Sequence, residues 1–457
     1  MNRILIYTGT KKNPVLFVAV LIAVLNLFST VLKGQDVKGL TMEETINLSL
    51  QNSHTLKASS ARIEQAQAGV KQATNNRLPS ASLSGSYLYL ANPSYNLKTG
   101  GGGSDTSGHG STLPKINQAM YSLFNVSLPV FTGGKIKYGI QSAKFLEQAM
   151  SLDVDNDKEG VILNSIQAYI NLYKAAATRN VVKENLLQSK SRDSVLARLE
   201  QNGLLARNDL LKSELQTSNI ELSLLDAETQ LKMANVNMDL LIGYPETTIL
   251  KPDTTGFSKG ISLKTLDDYE QLAFQNRKDM QAFSFRKEAA IAGISVAKSD
   301  LYPSIALTAG NITANIPGLV AVRFAGNVGV GLKYDLSSLW KSKANIDAAK
   351  SHVTEITANE AQLSDDIRLQ VNQSFEDYLL SQKKTEVLNN AVGQAEENYR
   401  ITKNKFDNSL VTTTDLLDAN VALLTAKIQL AVAKADVLLA YSKLLETSGI
   451  LSNTINQ

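Results

Sequence analysis

The 457-residue chain has no cysteine, a single tryptophan, three histidines and nine prolines. Each shortage closes a set of readings. Without cysteine there is no disulfide, no thiolate metal site and no lipid on an N-terminal cysteine, so any hold on a membrane must come from the polypeptide itself. His54, His109 and His352 are scattered, with no Glu/Asp/His spacing typical of a metal site. The glycine run at Gly100 to Gly103 lacks the Gly-Lys-Ser/Thr of a phosphate loop, and no serine elbow or kinase set is present. No enzymatic activity, cofactor or metal site is therefore expected. Past residue 34 no stretch approaches 18 consecutive apolar residues. That argues against a transmembrane helix and leaves strands as the way to span a bilayer.

The first 34 residues read as a secretory signal peptide. Arg3, Lys11 and Lys12 precede an apolar run, Val15 to Phe28, which at about 14 residues is short of the roughly 20 a spanning helix needs. Setting aside Arg3, Lys11, Lys12 and Lys33 leaves 42 bases against 43 acids. The mature chain is near neutral, and nothing suggests a nucleic-acid surface.

What is present is a tandem repeat. Thr41 to Leu56 aligns with Thr265 to Met280 at an offset of 224, and Pro79-Ser80 with Pro303-Ser304 at the same offset. Asn202 to Ser213 (NGLLARNDLLKS) aligns with Asn408 to Ala419 (NSLVTTTDLLDA) at 206, as do Gly243 and Gly449. The difference is an insertion in the first half, placed in the Gly/Ser/Asn-rich stretch Ala91 to Met120.

Each half reads helix, strand, loop, strand, very long helix, turn, long helix. The expected division is a leader over 1–34, a first repeat over 35–243, a linker over 244–264, a second repeat over 265–449 and a tail over 450–457. The opening helices are expected over Met42 to Asn76 and Leu266 to Asp300, each stopping before a proline. Strands are expected near 80–90, 121–131, 304–312 and 320–334, where apolar and small or polar residues alternate. One apolar and one small polar face suits a half-solvated sheet or a membrane barrel with a wet lumen. Long helices are expected near 134–200, 209–242, 340–406 and 415–447, since no proline falls between Val130 and Tyr244 or after Pro317. A helix over 134–200 would be roughly 100 Å long. The last helix carries two adjacent stripes, Leu416, Ala419, Leu423, Ala426, Leu430 and onward, and Leu417, Val421, Leu424, Ile428, Ala431 and onward. Two heptad-like seams give a helix a neighbour on either side. Four strands cannot close a useful barrel, so several copies must contribute to one.

In its tandem halves, its helix-Pro-Ser-strand junctions at Pro79 and Pro303, the segment SLPVFTGGK (Ser127 to Lys135) and the two turns ending in Asp-Leu-Leu, the mature chain resembles the TolC family of bacterial outer-membrane efflux proteins. The resemblance implies a mixed α and β membrane protein: a homotrimer in which four strands per protomer form a 12-stranded transmembrane β-barrel and long antiparallel helices form an α-helical barrel in the periplasm. The 244–264 linker and the C-terminal residues would lie near an equatorial belt. It implies an outer-membrane channel-tunnel of a tripartite efflux or type I secretion system, passively conducting substrates. Its partners would be further copies of itself, outer-membrane lipid, a periplasmic adaptor (membrane fusion) protein and, indirectly, an inner-membrane RND or ABC-type pump.

The resemblance also assigns residues. Asp415 and Asp418 match two carboxylates that line the closed periplasmic entrance, with Asp209 and Arg207 of the first turn beside them. Asn202, Gly203 and Leu204, with Asn408, Ser409 and Leu410, form the adaptor-docking tips. Read from local rules alone, Asp415 and Asp209 are expected as helix N-caps, whereas Asp418, whose repeat mate is Lys212, is not required by the fold. Val411 and Phe406 stand where the family places an Arg and a Tyr that link neighbouring helices, so closure would fall to apolar packing or to Arg207. The competing class is a structural or adhesive coiled-coil protein of the periplasm or cell surface, which accounts for the helices but not for the paired strands. Neither cargo nor pump is encoded in these residues.

Overall fold

A computed structural model describes residues 37–91, 116–253, 263–317 and 320–455. The leader and most of the Gly/Ser-rich insertion lie outside the described residues, as do 254–262 of the linker. In chain order the elements are β1 (Val37–Leu40), α1 (Met42–Asn52), α2 (His54–Asn75), β2 (Ser80–Tyr89), β3 (Gln118–Phe131), α3 (Lys135–Gln201), α4 (Arg207–Ile242), β4 (Ile249–Pro252), α5 (Leu266–Asn276), α6 (Lys278–Ser299), β5 (Ser304–Ile316), β6 (Val320–Lys333), α7 (Ser338–Asp407), α8 (Thr413–Thr447) and α9 (Leu451–Ile455). They form two compact units. A tip unit gathers residues through Leu48, Ala168–Lys259 and Ala395–Val432, and a sheet unit gathers Ser49–Gln167, Gly260–Gln394 and the remainder from Ala433.

The sheet unit holds four antiparallel strands in the order β2-β3-β5-β6. Their register puts Leu83, Phe124, Val126, Leu307, Val328 and Val330 on one face and Ser82, Asn125, Gly310 and Asn327 on the other. The apolar face is open, with Leu83 75% and Val328 89% exposed. β5 runs past the 312 expected from its alternation, because a register shift between Ile312 and Ala314 lets pairing with β6 continue to Ile316. Gly133, at φ 60°, makes the turn from β3 into α3, and a Cβ there would meet the Ser299 carbonyl oxygen at 2.5 Å. No other residue type fits that approach.

Each opening helix is broken rather than continuous. Ser53 (φ −58°, ψ 116°) separates α1 from α2, its hydroxyl accepting from the Leu56 N–H at 3.2 Å. Arg277 (φ −61°, ψ 124°), 224 residues on, separates α5 from α6. Its guanidinium donates to Asp279 at 2.6 Å, to Gln370 at 2.8 Å and to the Thr447 carbonyl at 3.2 Å. Periodicity runs straight through both breaks, so it cannot reveal a single extended residue. Beyond Arg277 the unit is tied by Arg62 and Ser59 to Asp157, by Lys287 to Glu360, and by a Tyr269, Tyr378 and Tyr441 cluster at the end of α8. By length and composition α8 could cross a membrane. Instead, in the tip unit, its Leu424 and Ile428 pack on Val182 and Leu186 of α3 and Ile220 of α4.

The tip unit contains a feature the sequence did not announce: β1 pairs in parallel with β4, Val37 against Ile249 through Leu40 against Pro252. Beneath them Leu40 and Leu250 join Tyr169, Leu172, Met238 and Ile242 in one apolar cluster. The buried Tyr169 hydroxyl lies 2.6 Å from the Asp253 carbonyl and 3.0 Å from that of Leu40, and burial pushes its pKa up to about 12. Asn235 of α4 clamps β4, donating to the Thr248 carbonyl at 2.6 Å and accepting from the Leu250 N–H at 2.8 Å. It also donates to one oxygen of Asp239 at 2.8 Å. The other oxygen of Asp239, fully buried, has no partner, and its repeat mate is the apolar Leu445.

Burial, with Glu246 nearby, raises the pKa of Asp239 to about 6. An unfolded Asp titrates near ~3.9, so the folded state holds this proton more tightly, and stability falls as pH rises from about 4 to about 6, staying at the lower level above. Asp239→Asn keeps the shape without the charge. It is expected to raise the thermal midpoint at neutral pH and to lose that advantage in acid, as followed by circular dichroism; a shift independent of pH would refute this.

Candidate functional site

The two turns singled out by the repeat both lie in the tip unit and share one backbone geometry. In the first, the Gly203 N–H donates to the Glu200 carbonyl at 2.9 Å and the Leu204 N–H to that of Leu199 at 2.8 Å. In the second, Ser409 donates to Phe406 at 2.9 Å and Leu410 to Lys405 at 2.8 Å. This double closure needs a left-handed residue just past the helix, supplied by Gly203 at φ 71° and Ser409 at φ 59°. The Asn202 and Asn408 amides each donate back one turn, to Arg198 and Asn404, at 2.8 Å. In such motifs the residue after the left-handed position usually folds onto the helix. Here Leu204 and Leu410 are 75% and 73% exposed. Two rigid turns thus each hold one leucine out to solvent.

The acids differ from expectation in position. α8 begins at Thr413, so Thr412 is the N-cap and Asp415 is the third helical residue, its carboxylate accepting from the Thr412 N–H at 2.8 Å and hydroxyl at 2.7 Å. The Thr412 hydroxyl in turn accepts from the Asp415 N–H at 3.2 Å, completing a capping box. The Thr412 hydroxyl and N–H hold the Asp415 pKa below the usual carboxylate range. Asp209 occupies the same helical position in α4, but Ala206 precedes it at the N-cap without a capping side chain. Asp209 pairs instead with Lys212 at 3.3 Å. The N-cap reading of both acids is therefore corrected: at the second turn three threonines in a row left the true cap ambiguous, and at the first the helix already begins at Arg207, two residues before Asp209. Asp418 and Arg207 are exposed. Within one chain, no ion pair joins Arg207, Asp209, Asp415 and Asp418 to one another among the described residues.

Val411 and Phe406 offer no polar link at the turns, and the polar ties lie deeper in the same unit. Asn185 of α3 and Asn420 of α8, both buried, face each other through their amides at 3.2 and 3.5 Å. Arg192 of α3 donates to Ser213 of α4 at 3.2 Å and to Ser189 at 3.1 Å, and Ser213 donates to Asp193 at 2.5 Å. Burial lowers the pKa of Arg192, opposed by Tyr399 of α7 and by Asp193 beside it. α3 is thus tied to α4, α7 and α8 by polar groups. A signal was available: Asp193 falls on the stripe Val182, Leu186, Ser189, Leu196, where an apolar residue belongs.

α4 carries Leu211, Leu215, Leu222, Leu225, Met233 and Leu240 at three, four, seven and eight residue spacings, all 48% exposed or more. A heptad stripe left open along a helix has the pattern of a helix-packing surface.

A model of the family described as outer membrane efflux protein matches residues 45–244 and 270–449. No curated protein matches the chain. Among solved structures, the outer-membrane channel OprN shares the fold at a TM-score of 0.73 and 19% identity, over 89% of each chain. The outer membrane protein VceC of Vibrio cholerae aligns at 0.71 and 19% identity over 89% of this chain and 96% of its own. The Campylobacter jejuni CmeC outer membrane channel aligns at 0.72 and 17% over 91% of this chain and 88% of its own.

The Asn185 and Asn420 pair yields a test of the helix ties. Asn185→Ala leaves a buried amide without its partner and is expected to cost about 1–3 kcal/mol. Asn185→Leu with Asn420→Leu is expected to recover most of that in thermal unfolding; a double variant less stable than the single would contradict the pairing.

Proposed function

We infer that this chain, which belongs to the outer membrane efflux protein family, acts as the outer-membrane conduit of an efflux assembly, in which passage of substrate requires no chemistry from the protein. The observation that carries the finer reading is the four-stranded sheet, whose β2 and β6 edges are free and whose one apolar face is open. Three copies joined edge to edge would give a closed 12-stranded barrel, with the apolar face toward lipid and the Ser82, Asn125, Gly310 and Asn327 face toward a wet lumen. The open heptad stripe of α4 supports the same association along the helices. Export by the 1–34 leader, docking of a periplasmic adaptor on the turns at Leu204 and Leu410, and an inner-membrane pump behind the adaptor complete the proposal. The alternative of a structural or adhesive coiled-coil protein receives no support from the family match.

At the proposed mouth the second turn supplies Asp415 and Asp418. Asp415 is engaged by Thr412 in one carboxylate oxygen, whereas Asp418 is free to face the lumen. In planar bilayers the protein is expected to give ion-conducting channels blocked by divalent cations. Asp415→Ala with Asp418→Ala is expected to weaken that block; unchanged block would sink the gate assignment, and absence of channels would sink the function. Arg207→Ala is expected to raise closed-state conductance if Arg207 helps to shut the mouth, and an unchanged conductance removes it from the gate.

A further inference from the structure

The only tryptophan in the chain is Trp340. It is the third residue of α7, past the end of β6 at Lys333, and it is 69% exposed. Leu336 and Leu339 beside it are also more than half exposed. Lys333, Lys341 and Lys343, all exposed, flank these residues in sequence, and the one acid of the segment, Asp335, is occupied in accepting the Ser337 N–H at 3.0 Å. The equivalent strand-to-helix junction of the first repeat ends in Val130 and Phe131, likewise exposed. A large amphipathic ring with lysines one and three residues on, in the segment that follows an apolar strand, has the composition of a bilayer interface, where indole rings settle at the headgroups and lysines reach the phosphates. With no cysteine to carry a lipid, the hold on a membrane comes from the polypeptide itself, and interfacial side chains add to it.

We propose that the junction of β6 and α7 is a membrane anchor: Trp340 and Leu339 sit in the headgroup layer of the periplasmic leaflet, with Lys341 and Lys343 on phospholipid phosphates. The water boundary then falls on the first turn of α7 rather than at the end of the strands. This rests on the reading of the apolar sheet face as lipid-facing, and the two are separable. The full-length protein is reconstituted in phosphatidylethanolamine and phosphatidylglycerol vesicles whose acyl chains carry bromine at defined depths, and Trp340 emission is read directly. The expected result is a blue shift from the emission of indole in water and a loss of intensity that is greater for bromines near the headgroup than for bromines near the chain ends. A blue shift without bromine quenching would place Trp340 against a second copy of the chain, and an unshifted, unquenched signal would place it in water; either overturns the anchor. In a Trp340→Phe background, Val328→Trp reports the strand face. Quenching of that reporter by the deepest bromines, with Trp340 unquenched, would discard the anchor alone, whereas absence of quenching at both positions would discard the lipid-facing sheet itself.

Discussion

The constraint on which everything else depends is the unfinished sheet. A bilayer offers no partner to a backbone N–H or carbonyl, so every such group within it must be satisfied by the protein. β2 and β6 each leave one edge unpaired, while the face they share with β3 and β5 is lined with Leu83, Phe124, Leu307, Val328 and Val330. Such a sheet cannot remain single in water, where its apolar face is exposed, nor in lipid, where its edges are. Edge-to-edge association with further copies of the chain relieves both at once. The proposed trimer is the smallest ring that brings the strand count above the number needed for an open lumen.

The helices meet an equivalent demand by different means. Interlocking apolar stripes give affinity between long helices but little register, since one heptad resembles the next. The tip unit adds register with polar groups that match in only one alignment: Asn185 against Asn420, and Arg192 with Ser213 and Tyr399. The second stripe of α8 is partly open at Val421, and α4 is open along its length. Intrachain packing therefore uses one side of the helices and reserves another. The buried, half-satisfied Asp239 stands apart from this logic, because its repeat mate Leu445 performs the packing role without a charge.

Much of this was legible in the residues. Periodicity of two and of three to four carries over long distances, so the strands, the long helices and the tandem order could be read from alternation, proline placement and the repeated Asp-Leu-Leu turns. Features set by single residues or by distant pairing could not. Ser53 and Arg277 break helices without disturbing the apolar pattern. β1 and β4 are four residues each, too short for alternation to register, and they exist because they meet one another over Tyr169 and Met238. At the site, the turns and their glycine or serine were readable, but Thr412 as cap and Asp415 as its reciprocal partner are distinguished only by the helix start at Thr413 and the hydrogen bonds between them. The exposed α4 stripe was present in the sequence, interrupted by Ser218 and Thr229, which hid its regularity.

The central claim is that one chain is a third of a channel. The mass of the detergent-extracted particle, measured intact, tests it most directly. Three copies per particle is the expected result; a stable single chain, or a pair, would leave the edges of β2 and β6 unexplained and would contradict the assembly.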